Sequence, residues 1–251
     1  MADKEIGHNF LARIGKKRLR PGGVNATRWL IDKGAFSEQT RVLEVACNMC
    51  TTSIELAKKF NCNIVGIDLD TKALEKAKIN IRKANLENRI EVIQGNALKL
   101  PFADNTFDIV INEAMLTMLS PKAKKKAISE YYRVLKPGGK LLTHDVAYLN
   151  PQLEQIILEL RKTININVSP LSVADWESVF KQSGFSSVES TNGEMTLMSL
   201  KGMIKDEGLL NTLNIIKNGH KRENKEMFQN MHTFFTKTGK ELKYIAVCSQ
   251  K

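Results

Sequence analysis

The sequence predicts an α/β fold: a doubly wound, mostly parallel seven-stranded sheet with an N-terminal helical lid and a helical insertion before the last strand. Three observations carry this. Short apolar runs alternate with amphipathic stretches five times between Val42 and Val146, and parallel neighbours need helical crossovers. Residues 41–68 read as strand, tight turn, helix, strand and acid, the grammar of a nucleotide-binding βαβ unit. A stretch from about 193 to 240, rich in Met and Phe, is too apolar for disorder and too long for a hairpin loop.

In chain order, residues 1–35 form the lid, with Phe10, Leu11 and Ile14 at helical spacing and a second helix through Thr27, Trp29, Leu30 and Ile31. The core, 36–150, opens with strand 42–46 and a helix near 51–60, then strand 63–68 and a helix near 71–84 that Thr71 caps. Strands 90–94 and 107–112 follow. A helix from Lys122 to Leu135 is stopped by Pro137-Gly-Gly139 before strand 140–146. Residues 151–251 supply two amphipathic helices, a strand near 186–191, the cap and a terminal strand at 243–248.

Composition bounds the function. The chain has 251 residues, enough for one domain with a cap. No apolar run approaches the roughly 20 residues that cross a bilayer, and Met1-Ala-Asp-Lys-Glu5 lacks the pattern of a signal peptide, so a cytoplasmic protein is expected. The net charge of +11 raises the question of nucleic acid. Yet the basic runs (16–20, 122–126, 217–222) read as solvated helix faces without interleaved aromatics, and suit steering of an anionic ligand. Cys47 and Cys50 have the spacing of half a zinc site, but no second pair follows; no metal is expected.

Four motifs in order then identify a resemblance: Val42-Leu-Glu-Val-Ala-Cys-Asn-Met-Cys50; Gly66-Ile-Asp68; Gly95-Asn-Ala97 with Leu100-Pro-Phe102 and Asp104-Asn-Thr-Phe-Asp108; and Tyr132-Arg-Val-Leu-Lys-Pro-Gly-Gly139. Residues 41–146 resemble a class I S-adenosylmethionine-dependent methyltransferase. The resemblance implies S-adenosylmethionine as cofactor. It places Asp68 on the ribose hydroxyls with Leu69 beside it, Asn96 and Ala97 at adenine, and Glu44 near the methionine amino group. Ala46, Cys47 and Asn48 fall in the turn beneath the cofactor, with Ala46, Asn48 and Cys50 where the family has its three glycines, and Asn112 and Glu113 face its sulfonium region. Of the glycine positions Asn48 alone is expected in the left-handed region; Ala46 and Cys50 need only small side chains at negative φ.

Methyl transfer needs a general base only when the nucleophile carries a proton of high pKa. His144, Glu113 and Asp145 lie at strand ends where open α/β sheets bind ligands, and are the candidates; His8 and His232 reach the site from lid and cap. The Asn/Asp-Pro-Pro-aromatic motif of amino-methylating nucleic-acid enzymes is absent at Asn112-Glu-Ala-Met115. A small-molecule acceptor in an apolar pocket under the cap is therefore expected. An RNA methyltransferase and a non-catalytic cofactor-binding relative are the alternatives, and oligomeric state is not legible.

Overall fold

A computed structural model describes residues 5–150, 153–239 and 241–251. Its sheet has eight strands: β1 Arg41–Val45, β2 Asn63–Asp68, β3 Ile90–Gln94, β4 Phe107–Glu113, β5 Leu135–Tyr148, β6 Leu171–Ser172, β7 Ser187–Glu194 and β8 Leu242–Gln250. The order is β3-β2-β1-β4-β5-β8-β7. Strands β1 to β5 run parallel, while β8 lies antiparallel between β5 and β7. The eighth strand, missed by the expectation of seven, is the two-residue β6, which pairs with Ala147 and Tyr148 beyond the end of β4. Two residues carry no periodicity to read.

Successive residues along the central strands serve opposite faces. Val42, Ile64, Ile109, Ile111 and Leu142 pack under α2 (Gly23–Gly34), α3 (Thr51–Phe60) and α4 (Thr71–Lys83). Leu43, Val45, Ile67, Val110 and Leu141 pack under α5 (Pro121–Val134) and α7 (Val173–Gln182). Burial on both faces is why these strands read as unbroken apolar runs. Strand order reverses beside β1, whose neighbours are β2 and β4, so the crevice for a ligand lies at the carboxyl ends of these three strands.

Two local expectations are corrected. Asp70, not Thr71, caps α4: its carboxylate accepts from the Lys72 and Ala73 amides, and its extended backbone (φ −83°, ψ 102°) suits the capping position. Pro137-Gly-Gly139 does not separate helix from strand; α5 ends at Val134 and β5 starts at Leu135. The three residues form an irregularity within β5, where pairing jumps from Phe107–Leu135 to Ile109–Lys140. Gly138 (φ 76°) closes it by donating its amide to the Lys251 carbonyl.

The third core joins segments far apart in sequence. Phe10, Leu11 and Ile14 of the stretch around α1 (Gly7–Arg13) pack with Leu160 of α6 (Glu154–Ile164) and with Met198, Met203, Ile215, Phe228 and Met231. The last five belong to the segment between β7 and β8, which holds α8 (Leu200–Glu207), α9 (Leu209–Gly219) and α10 (Lys225–Thr238). Helix α1 thus shares one core with the helices inserted before the last strand.

Candidate active site

Strand β1 delivers Glu44 to the crevice and then turns at once into α3. Ala46, Asn48 and Cys50 all have left-handed backbone, with φ of 56°, 47° and 57°. The expectation of a single such position is corrected: the chain coils at every second residue to reach the helix in five. Cys47 and Cys50 settle over Gly66 of β2, where an added Cβ would lie 2.9 and 3.1 Å from their sulfurs. Their contact, together with burial, raises the Cys47 thiol pKa and keeps it protonated. A side chain in the left-handed region costs about 1–2 kcal/mol, least for Asn. Ala46→Gly is therefore expected to raise stability by roughly 1 kcal/mol in urea unfolding; no gain would mean the turn is unstrained.

A cavity of about 350 Å³ opens over this turn. Glu44, Ala46, Cys47, Asn48, Asp68 and Leu69 line it. The Asp68 oxygens accept the Asn48 and Asp70 amides at 2.8 and 2.9 Å, which fixes the carboxylate at the end of β2 and leaves each oxygen a second lone pair. Glu44 accepts the Ser53 amide at 3.0 Å and the Ser53 hydroxyl. Burial raises its pKa to about 7 against these hydrogen bonds, with the nearby Glu113 adding to the rise. Helix α3 begins without a side-chain cap, and Thr51 of its first turn lines the cavity. Neither Asn96 nor Ala97 is on the wall; Asn96 Oδ1 already accepts the Leu98 amide. Asn112 lies inside the sheet, donating to Thr143 Oγ1 at 3.0 Å.

The opposite wall is the N-terminal segment, through His8, Lys17, Leu19 and Arg20. A buried cluster holds it there. Glu113, at the end of β4, pairs with Arg20 Nε at 2.9 Å and accepts the hydroxyls of Thr27 (3.0 Å) and Thr52 (2.7 Å). Arg20 also donates to both threonines. Burial alone would raise the Glu113 pKa, but Arg20 and His144 outweigh it and hold it at about 2. His144 Nε2 accepts the Gly22 amide at 3.0 Å, so its proton sits on Nδ1, 3.4 Å from Glu113. Both ring nitrogens are thus occupied, and the ring lines neither this cavity nor the next. Further along, Glu207 accepts the Lys17 and Arg18 amides, Asp206 accepts the Val24 amide, and Lys16 lies buried 3.6 Å from Glu207. Pro21-Gly-Gly23 permits the approach: a Cβ on Gly22 would strike the Tyr244 ring at 2.4 Å.

A second cavity, of about 90 Å³, adjoins the first; His8, Leu19, Ala114 and Met118 line both. Its walls are apolar side chains from α1, α6, α10 and the loop bearing Met195 and Leu197. Asp145 forms part of the wall, fully buried, with its oxygens accepting the Val146 and Thr117 amides at 2.8 and 3.0 Å. Burial raises the Asp145 pKa. Burial likewise lowers the His8 pKa, against the pull of Asp68 and Asp70.

Comparison with known proteins identifies the central part of the chain. A family described as "Methyltransferase domain" matches residues 42–139, from β1 into β5. Over those residues the chain has the core of a class I, Rossmann-like methyltransferase. An uncharacterized protein of Haemophilus influenzae is 57% identical over all 251 residues, covering 100% of both chains. A demethylmenaquinone methyltransferase of Lactiplantibacillus plantarum is 35% identical over 109 residues, 43% of this chain and 45% of that protein, so this match spans under half of each. Among solved structures, a Haemonchus contortus phosphoethanolamine N-methyltransferase in complex with S-adenosylhomocysteine superposes with a TM-score of 0.78 at 18% identity, covering 98% of this chain and 57% of that one. That likeness is one of fold.

Sequence reasoning missed part of this candidate site. Lys16 and Arg20, read as a solvated run, are 1% and 7% exposed, and Lys124 of the second run is 2% exposed. Lys124 did carry a signal, since it falls on the same helical face as Ile128 and Tyr131. It donates to the Ser169 carbonyl and sits over Trp176. For Arg20 and Lys16 the partners lie far along the chain, and no local pattern marks them.

Proposed function

We propose that the protein transfers a methyl group from S-adenosylmethionine, held in the 350 Å³ cavity, to a small molecule held in the 90 Å³ one. The observation that carries this is the shared wall: a polar cleft and an apolar cavity meet at His8, Leu19, Ala114 and Met118. The residues of the cleft fit the cofactor. Asp68, with a free lone pair on each oxygen, suits two ribose hydroxyls, and Leu69 the adenine edge. Uncapped amides at the start of α3 suit a carboxylate, and Glu44 an ammonium. Asn96 and Ala97 lie off this wall and take no part in the assignment, and Asn112 supports the strand that carries Glu113.

Bound S-adenosylmethionine supplies a sulfonium methyl already activated for in-line displacement. The chain's own task is to align the acceptor and keep water out. The N-terminal segment, pinned by the Arg20–Glu113 cluster, serves as the lid. Glu113 is too weak a base for catalysis once held near pKa 2, and His144 has no free nitrogen; both position the lid. His8, kept neutral by burial at the junction of the cavities, is the group placed to take a proton from the acceptor. The enclosed apolar cavity favours a small molecule over RNA.

Calorimetry with S-adenosylhomocysteine tests the reading. Asp68→Ala is expected to weaken binding by about tenfold to a hundredfold, the loss of two hydrogen bonds to a charged acceptor. Unchanged affinity would refute the assignment of the cleft.

A further inference from the structure

The apolar cavity contains one feature that apolar ligands do not need. Of its side chains only His8, Thr117 and Asp145 are polar. Asp145 is fully buried and shares the cavity wall with Leu11, Leu160, Ile164, Met195 and Phe235, while Lys124 and the buried Tyr131 hydroxyl of α5 lie near enough to feel its charge. Its oxygens are supported by two backbone amides, yet no Lys, Arg or His among the described residues lies within ion-pairing distance of it. Lys124, the nearest favourable charge, spends its ammonium on the Ser169 carbonyl and the Trp176 ring. Thr117, 3% exposed, helps stabilise the carboxylate, but its hydroxyl makes no well-aligned hydrogen bond with the described residues.

A carboxylate removed from water and left without a cation is unfavourable, and two amide donors compensate only in part. A ligand that brought its own cation into the cavity would complete the site, whereas an anionic ligand would meet a like charge in a low-dielectric enclosure. The volume limits the rest of that ligand. About 90 Å³ holds a handful of non-hydrogen atoms, and the surrounding Leu, Ile and Met side chains suit a branched aliphatic body. Resting on the reading of this cavity as the acceptor site, the geometry points to a compact aliphatic amine as the acceptor class, with Asp145 as the counter-ion of its ammonium group and Thr117 as a second hydrogen-bond partner.

Three probes of nearly one shape separate the chemistry: isobutylamine, isobutanol and isobutyrate. Each is titrated by ligand-observed NMR against the full-length protein saturated with S-adenosylhomocysteine. Isobutylamine is expected to bind at least about tenfold more tightly than the alcohol, with isobutyrate weaker still. Asp145→Asn should erase the preference for the amine while leaving S-adenosylhomocysteine affinity unchanged. Leu197→Trp, which fills the cavity from the loop side, should abolish binding of all three and serves if Asp145→Asn does not fold. Equal binding of the three probes, binding of none, or an amine preference that survives Asp145→Asn overturns the inference. Failure of S-adenosylhomocysteine itself to bind would instead overturn the proposed function, so the two outcomes are distinct.

Discussion

Arg20→Met is expected to lower the free energy of unfolding by about 3–5 kcal/mol at pH 7, because it strands a buried carboxylate. Glu113 is 7% exposed in its side chain and has no Lys or Arg other than Arg20 in contact among the described residues; Thr27 and Thr52 donate only neutral hydrogen bonds, and His144 Nδ1 stands 3.4 Å away. Glu113 must then remain ionised at a cost or take up a proton. Methyl transfer should fall further than stability alone explains, since Arg20 is also one of the residues through which the N-terminal segment lines the cleft. Urea unfolding followed by circular dichroism measures the first effect, and turnover at a temperature where the variant is folded measures the second. A double replacement, Arg20→Met with Glu113→Leu, should recover most of the stability and none of the activity, because apolar groups of similar volume replace a buried pair well. A loss under about 1 kcal/mol in the single variant would class the contact with exposed ion pairs.

The same pair gives the acid limb of the stability curve. The Glu113 pKa is about 2 in the folded protein against an ordinary value of 4.5, so its contribution is fully present above pH 4.5. It is lost as pH falls from there toward 2. The span of about 2.5 units corresponds to roughly 3 kcal/mol.

The fold was legible in the sequence for a physical reason, and so were the gaps. Strands buried on both faces must be apolar without interruption, which put the first four within two residues of their observed bounds. Asp68 was legible because an acid ending such a run is out of place unless it faces a crevice. The left-handed backbone at Ala46 and Cys50 was not, since neither side chain encodes a positive φ and only the crowding around Gly66 explains their size. His144 and Asp145 were both candidates for a general base at the same strand end, but adjacent residues of a strand point to opposite faces. One therefore meets Gly22 and Glu113, the other Thr117 and the apolar cavity. Alternation could have separated them; it could not have said which cavity each would find. Nothing local marks Arg20, whose partner is defined only once β4 and the N-terminal segment are brought together.

Glu44→Gln is expected to stabilise the ligand-free protein and weaken its grip on the cofactor, which ties the cleft's chemistry to its energetics. Burial raises the Glu44 pKa to about 7 from 4.5. A carboxyl raised in this way contributes its full stability below pH 4.5, and that contribution is lost as pH climbs through 7. By pH 8 the loss reaches roughly 3 kcal/mol for a shift of about 2.5 units. Opposed to the Glu113 limb, it predicts maximal stability of the ligand-free protein near pH 4.5–5 from these two groups, with a decline on either side. A glutamine keeps an oxygen for the Ser53 amide and hydroxyl and removes the charge. Thermal unfolding from pH 4 to 9 should then show the decline between pH 4.5 and 8 in the parent protein and a flatter profile in the variant. Saturation with S-adenosylhomocysteine should flatten the parent's profile as well, if its ammonium sits against Glu44 and restores the lost compensation. The variant's affinity for that ligand should fall by about tenfold or more, the worth of a hydrogen bond between charged groups. If Glu44→Gln instead binds S-adenosylhomocysteine as well as the parent does, Glu44 serves the turn through Ser53 alone and the ammonium must be held elsewhere in the cleft.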